Sequence, residues 1–529
     1  MTDSEGSNEV SMELPAAFIS RMRNMLGEEA LQSFLSSYDG ERTQGLRVNP
    51  LKIAREDFLH IENFRLKPVP WEENGFSYGE PDRPGRSVLH EAGLYYIQEP
   101  SAMSAAALSG VHPGEKILDL CAAPGGKSTQ LAGRMGGKGL LVSNEIHPER
   151  AKILSQNIER MGVRNAIVTN ETPQNLAKRF PGFFDRILVD APCSGEGMFR
   201  KEEQALAMWS EENVRSCALR QQEILEQADL CLKPGGTLVY STCTFAPEED
   251  EETIARFLAV HPGYTLVNPA GSLGEKRMEW GMDTGRAEWC APKVHGVKIP
   301  DSVRESLVRT LRLFPHHLRG EGHFAAMLQK GGTLLAEPAG EGPADSRSGS
   351  CPAERSRDRK KRKDRMRQGA AAGAKGRPAG AASLKEAEGL WHDFAEAVLR
   401  TDIAAECVRD SASRFLLFGD ELYLEPGGLD LTGLRILRPG LHLGQVLRGR
   451  FEPDHALAMT LHAADALHTF DLKQDMPQCA AYLRGESFPC DPELKGWILV
   501  TVNGYSLGWA KAAGGMLKNH YPRGLRRPY

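Results

Sequence analysis

The sequence predicts an α/β protein built on a doubly wound parallel sheet, with a small α+β module before it and compact α+β or β modules after it. Three observations predict this. From about residue 116, short apolar runs alternate with stretches of helical periodicity, the pattern of parallel strands joined by crossover helices. A glycine loop separates the first run from the next helix, which is where such folds bind ligands. The chain has 529 residues, more than one hydrophobic core usually serves, so further domains must flank the sheet.

In chain order, residues 1–11 are polar and acidic and read as a disordered tail, without the basic start and apolar run of a signal peptide. From 14 to about 37, Phe18, Met22, Met25, Leu31, Phe34 and Leu35 recur at helical spacing. Short strands and turns follow, with Arg42, Arg47 and Lys52 among them, so 12–88 reads as an N-terminal module. Residues 89–330 hold the sheet. KILDL is its first strand, 127–134 a helix, GLLVSNE (139–145) a second strand, and 147–161 another helix. AIVT, RILVD and GTLVYST are three more strands, with helices such as 203–231 between them. Crossovers of this kind are right-handed, and ligands then sit outside the carboxyl ends of the strands.

Residues 331–384 change character. The stretch 354–368 carries nine Lys or Arg against three acids, and an alanine–glycine run follows. This is expected to be a basic, flexible linker, able to hold phosphates. Two compact modules, 385–455 and 456–529, complete the chain. The second ends in Lys511, Lys518, Arg523, Arg526 and Arg527, interleaved with Trp509 and Tyr521.

Net charge is −5, so any nucleic-acid contact must come from local patches. No stretch has the roughly 20 apolar residues of a membrane helix. A cytoplasmic monomer with free thiols is expected, and none of the ten cysteines forms a C-x-x-C pair that would suggest zinc.

The loop after the first strand reads DLCAAPGGKSTQLA, 119–132. Gly125 and Gly126 let the backbone turn tightly and approach a ligand, and the N–H groups of the next helix start can meet an anion. The first glycine of a phosphate-binding G-x-x-x-x-G-K-[ST] loop is missing, and no G-x-G-x-x-G opens the helix, so neither an NTPase nor a nicotinamide dehydrogenase fits. Glu145 ends the second strand, where an acid bonds the ribose of an adenosine-type cofactor. Cys193, beside Asp190 and Pro192, and Cys243 stand at the ends of the fourth and fifth strands. Both thiols are expected to face the cleft, with Cys121 near them, whereas Cys217, Cys231, Cys407 and Cys479 read as core filler.

The segments CAAPGGK (121–127), DAPCSGEG (190–197) and YSTCT (240–244), and more loosely LFPHHLRGEGHFAAML (313–328), resemble the NOL1/NOP2/Sun family of RNA cytosine-5 methyltransferases. The C-terminal part resembles the RNA-binding extension of the bacterial RsmF branch, with 456–529 PUA-like. The resemblance implies a Rossmann-like class I methyltransferase sheet and S-adenosyl-L-methionine held by Cys121, Ala122, Ala123, Pro124, Gly125, Gly126 and Lys127. Glu145 and Asp190 would also line that pocket. The family's further acid after the third strand falls at Thr172, with Glu171 beside it, and either could reach the adenine. His323 stands where the later motif often has an aromatic.

The implied reaction is methylation of cytosine carbon 5 in RNA, most naturally small-subunit ribosomal RNA. Carbon 5 is a poor nucleophile, and a thiolate adding to carbon 6 activates it. The resemblance assigns that attack to Cys243 and product release to Cys193. A donor at the pyrimidine edge, a protonated Asp190 or Lys127, would stabilise the charge that builds on the ring. The base must be unpaired or flipped, and the N- and C-terminal modules would grip the RNA. A tRNA cytosine methyltransferase and a non-catalytic RNA-binding assembly factor are the rival readings; two intact cleft cysteines argue against the second.

Overall fold

The computed structural model describes residues 13–332, 382–411 and 413–526. The expected tail at 1–11, most of the expected linker at 331–384, and Arg527 lie outside the described residues.

The central sheet contains the five expected strands: β1 (Lys116–Asp119), β2 (Leu140–Asn144), β3 (Ala166–Thr169), β4 (Phe184–Asp190) and β5 (Leu232–Thr242). Their mutual pairings are all parallel, in the order β3-β2-β1-β4-β5. Neighbouring residues on one strand point to opposite faces. Leu118, Val142, Ile167 and Val189 pack into one apolar cluster, and Ile117, Leu141, Val168 and Leu188 into the other. Helices α1 (Gly126–Met135) and α2 (Pro148–Arg160) cover the second face through Leu131, Leu154 and Ile158. Helices α3 (Pro173–Arg179), α4 (Glu211–Cys231) and α5 (Glu251–Val260) cover the first through Leu176, Leu225 and Ile254. The doubly wound class is therefore what the chain adopts.

The sheet is mixed rather than wholly parallel. Beyond β5 lie β6 (Tyr264–Leu266), β7 (Met282–Thr284), β8 (Leu311–Leu313) and β9 (His323–Lys330). Strand β9 runs antiparallel along β5, β8 pairs with β9, β7 with β8, and β6 also with β9. These pairings join residues far apart in sequence, which no local periodicity reveals. At the other edge β10 (Ile436–Arg438), from the C-terminal half, pairs antiparallel with β3.

Three local expectations change. The helix expected over 14–37 is two, Ala16–Leu26 and Glu28–Ser36, broken at Gly27, whose φ of 79° no helix accommodates. The helix expected over 203–231 is broken before Glu211, because the Ser210 side chain caps a new start by accepting from Asn213 N. The N-terminal sheet runs past residue 88: Tyr95–Ile97 pairs with Gln44–Val48, which also pairs with Gly75–Tyr78. Phe18, Met22 and Phe34 from the first two helices pack on Phe199, Phe245 and Phe314, at the edge of the thiol-bearing loops.

After Leu384–Val398, a helix opened by a Ser383 capping box, come a four-stranded sheet within 414–453 and a five-stranded sheet within 469–519. The five-stranded sheet shares a core with the N-terminal sheet, Ile498 and Val500 packing in the same cluster as Leu46 and Val48. Trp509 and Tyr521, expected among basic residues on an RNA-facing tail, are buried instead. Trp509 donates to the Asp454 carbonyl at 2.9 Å. No helix among the described residues is long and apolar enough to cross a membrane.

Arg312 on β8 is fully buried, ion-paired to Asp250 at 2.8 Å and hydrogen-bonded through Nε to Glu251 at 2.9 Å. Both acids begin α5, directly after the Cys243 loop. Arg312→Met leaves two buried carboxylates without their cation. It is expected to cost about 3–5 kcal/mol of unfolding free energy or to prevent soluble folding. Urea denaturation of both proteins checks this, and a midpoint equal to wild type would refute it.

Candidate active site

The loop after β1 turns at Gly125, whose φ of +117° favours glycine; a Cβ there would also sit 3.3 Å from Leu154 and 3.4 Å from Asn157. A Cβ on Gly126 would lie 3.3 Å from the Tyr96 ring. The turn opens a cavity lined by Asp119, Cys121, Ala122, Ala123, Pro124, Gly126, Lys127 and Asp190 on one side and by Tyr96, Ile97, Gln98 and Ala102 on the other. The second wall comes from the N-terminal sheet and the segment after it, which sequence reading did not connect to the site. Only the long-range pairing of Tyr95–Ile97 brings it there. Arg47 reinforces the wall, bonding Gln98 at 3.0 Å, the Gly126 carbonyl at 3.0 Å and Thr129 at 2.8 Å.

Asp119 accepts from Ser128 at 2.7 Å through Oδ2, while its buried Oδ1 has no partner. Burial pushes its carboxyl up to about 7. Glu145 is buried at the end of β2, accepting from His147 N at 2.9 Å, with Arg150 at 3.4 Å. Thr172 and Glu171 are otherwise engaged. Thr172 caps α3, accepting from Asn175 N at 3.3 Å, and like Glu145, Cys193 and Cys243 it is not among the residues that line this cavity. Glu171 accepts from Asn175 at 2.8 Å and from Arg435 N at 2.7 Å, so it ties down the segment leading into β10.

Lys127 donates to Asp190 Oδ2 at 2.7 Å, and Ser241 to Oδ1 at 2.8 Å. Burial alone would raise the Asp190 carboxyl, but Lys127, His323 and these hydrogen bonds hold it below the ordinary carboxylate range. Asp190 is therefore a carboxylate, and the protonated Asp190 considered as a donor is not what this environment favours. Lys127, its partner, is the adjacent group with protons to donate.

Cys193 and Cys243 come together, their sulfurs 3.3 Å apart. The hydrogen bond with Cys243, burial and the nearby Glu249 push the Cys193 thiol well up, keeping it protonated. Burial also raises the Cys121 thiol strongly. Behind the pair, Ser194 and Thr244 hydroxyls meet at 2.9 Å. Glu249, fully buried, accepts from Ser194 N at 2.9 Å, from the Ser194 hydroxyl and from Gln221 at 2.9 Å. Burial pushes Glu249 up to about 7. Glu249 sits six residues after Cys243, in the acidic run of GTLVYSTCTFAPEEDE; helical periodicity there suggests only a solvated helix start.

The family model described as 16S rRNA methyltransferase RsmB/F matches residues 106–329. Models for the N-terminal domain, first C-terminal domain and PUA domain of RsmF match 14–100, 393–461 and 469–527. Ribosomal RNA small subunit methyltransferase F of Serratia proteamaculans is 31% identical over 97% of both chains. The chain belongs to this family. It is thereby an RNA methyltransferase that acts on ribosomal RNA. The protein of the same name from an Escherichia coli strain is also 31% identical, over 97% of this chain and 96% of its own. Among solved structures, a methyltransferase homologue from Pyrococcus horikoshii aligns at 28% identity and a TM-score of 0.50, over 60% of this chain and 96% of its own. The structure of PH0851 aligns at 26% and 0.51, over 62% and 70%.

Gly125→Val places a branched side chain on a positive-φ residue already 3.3 Å from Leu154. It is expected to weaken S-adenosylmethionine binding at least tenfold in calorimetry. Equal affinity for the two proteins would remove the loop from the cofactor site.

Proposed function

We propose that this chain uses S-adenosylmethionine to methylate carbon 5 of a cytosine in small-subunit ribosomal RNA, with Cys243 as nucleophile and Cys193 as the group needed for release. The observation that carries the reading is the pair of sulfurs 3.3 Å apart beyond the ends of β4 and β5, with Cys193 three residues after the Asp190 that Lys127 ion-pairs. A methyltransferase acting on an oxygen or an exocyclic amine has no use for two thiols there.

The cavity fits the cofactor on its own features. A backbone cradle that a Cβ would fill and a buried, unpartnered Asp119 oxygen suit a ligand that brings a cationic amine. Residues 121–127 with Asp119 would hold its amino-acid end and Glu145 its ribose. The bound cofactor supplies an electrophilic methyl group on sulfonium sulfur.

The chain's residues do the rest. Cys193, kept as a thiol, can donate to the Cys243 sulfur and favour its thiolate, the reactive form. Cys243 adds to carbon 6 of the flipped base, making carbon 5 electron-rich. Lys127 donates toward the pyrimidine edge as negative charge builds there. Once carbon 5 carries the methyl group, its proton must leave before the carbon 6–sulfur bond breaks and the aromatic ring returns. With Cys243 bonded to carbon 6, the Cys243 hydrogen bond that chiefly keeps Cys193 protonated is gone. Cys193 can then lose its proton to water and, as a thiolate, take the carbon 5 proton. The carbon 6–sulfur bond then breaks and Cys243 leaves as a thiolate. The N-terminal and C-terminal modules would bind the surrounding RNA, chiefly through phosphates.

The two variants separate the roles. Cys243→Ala is expected to bind RNA reversibly and leave it unmethylated. Cys193→Ala is expected to accumulate a protein–RNA adduct that survives a denaturing gel. An adduct with Cys243→Ala only would reverse the assignment, and none with either would leave both as core thiols. Bisulfite sequencing of ribosomal RNA with and without the gene tests the substrate, and an unchanged cytosine pattern would overturn it.

A further inference from the structure

The two thiols are held by different means. Cys243 follows directly on β5, whose last residues are paired on both sides, Ser241 with Asp190 on β4 and Thr242 with Phe324 on β9. The Cys243 carbonyl also accepts from Gly197 N at 2.8 Å. Cys193 lies farther from its strand; the bond from Ala191 N to the Ser241 carbonyl, at 2.8 Å, precedes it. The residues on either side of Cys193 are held instead by two buried side chains. Gln221, on α4, donates to the Pro192 carbonyl at 3.1 Å and to the Glu249 carboxylate at 2.9 Å. That carboxylate accepts from Ser194 N at 2.9 Å and from the Ser194 hydroxyl. Glu249 is itself fixed to β5, its carbonyl accepting from the Tyr240 hydroxyl at 2.6 Å. The Ser194 and Thr244 hydroxyls, each next to a cysteine, meet at 2.9 Å.

Gln221 and Glu249 are fully buried. Burial works against the Glu249 charge, and a buried carboxylate is a poor source of net stability. Its several bonds act instead as a geometric constraint on the groups that make them. We propose that Glu249 and Gln221 are positioning residues for product release, holding Cys193 where it takes the proton from carbon 5 while Cys243 is bonded to carbon 6. The assignment rests on the covalent cytosine reading above and adds what aims the second thiol. In release, the carbon 5–hydrogen bond breaks and its proton passes to the Cys193 thiolate. The electron pair left behind forms the carbon 5–carbon 6 double bond, and the carbon 6–sulfur pair returns to Cys243. Attack and methyl transfer use Cys243, on the paired end of β5. A loosened Cys193 therefore slows release and leaves the earlier steps running. Misplacing a reacting group by about 1 Å can cost about a hundredfold in rate. A purely stabilising role has another signature: a cleft loosened throughout loses attack and release together, and methylation falls with no build-up of adduct.

The test uses the full-length enzyme, labelled cofactor and small ribosomal subunits reconstituted with transcribed ribosomal RNA. Methyl transfer gives kcat and the KM for RNA, and a denaturing gel gives the fraction of enzyme held as adduct. Glu249→Met and Gln221→Met fill the same space and remove the bonds. Both are expected to lower kcat by about tenfold to a hundredfold and to leave KM within about threefold. Both are expected to raise the adduct fraction at least about fivefold over wild type, toward that of Cys193→Ala. Glu249→Gln, whose amide oxygen can still accept from Ser194 N, is expected to fall between wild type and Glu249→Met in both readouts. Calorimetric cofactor binding within about twofold of wild type shows that a variant is folded. If Glu249→Met does not fold, Gln221→Met and Glu249→Gln decide. An adduct fraction no higher than wild type in the folded variants, whether or not methylation falls, overturns the proposal. So does a folded Glu249→Met that Glu249→Gln does not improve on. No adduct from Cys193→Ala overturns the covalent reading itself, an outcome distinct from adduct in Cys193→Ala and none in the Glu249 and Gln221 variants.

Discussion

The parallel register of β4 against β5 is the constraint on which the site depends. It sets Asp190 opposite Ser241, so the last residue of one strand bonds the neighbour across the ladder. The chain beyond each strand then departs from the same edge. Cys193 lies three residues past Asp190 and Cys243 two past Ser241, which is why two thiols 50 residues apart meet. A one-residue slip would turn every side chain of β5 to the other face. It would break the Ser241–Asp190 bond and carry Cys243 away from Cys193. The apolar faces of β4 and β5 forbid that slip, since Leu188 and Val239 serve one core and Val189 and Tyr240 the other.

Register alone leaves loops free to move, and buried carboxylates restrain them. Glu249 bonds Ser194 behind Cys193. Glu196 bonds Phe245 N at 3.1 Å, just past Cys243, and also Trp209 and Arg21 from the first helix. Glu321, before His323, bonds Arg200 at 2.7 Å and Thr43 N at 2.7 Å. Burying a carboxylate is expensive unless it is paired or fully hydrogen-bonded, and each of these has several partners. Their net contribution to stability is modest by that argument. Their geometric effect is larger, because each ties a thiol-bearing or His323-bearing loop to the N-terminal helices or to the sheet.

The terminal modules are built into the catalytic sheet rather than hung from it. Strand β10 extends the ladder at β3, Arg438 ion-pairs with Glu159 on α2, and Arg435 meets Glu171. The N-terminal sheet supplies one wall of the cavity at the glycine loop and shares a core with the last sheet. Surfaces at both ends of the chain are thus held in a set relation to the cleft.

The sequence by itself determined the five parallel strands, the glycine loop and the candidates Cys193, Cys243, Lys127, Asp190 and Glu145. Strands and loop rest on local signals, namely periodicity and turn residues; Lys127 and Asp190 were singled out by the family resemblance of the motifs that carry them. The family resemblance also suggested a cofactor contact at Thr172, and the basic, aromatic-containing tail an RNA-facing place for Trp509. In the fold Thr172 caps a helix, and Trp509 is buried and donates a core hydrogen bond. Tertiary structure alone decided what depends on distant segments meeting: antiparallel β9 beside β5, the Tyr96–Gln98 wall, Glu249 behind the thiols, and the charge state of Asp190. A side chain's partners and its burial follow from pairings across hundreds of residues. Until the sheet is assembled, Asp190 is an ordinary solvated carboxylate, with neither the burial that works against its charge nor the Lys127 that offsets it, and His323 has no pocket in which its second nitrogen stands unpaired.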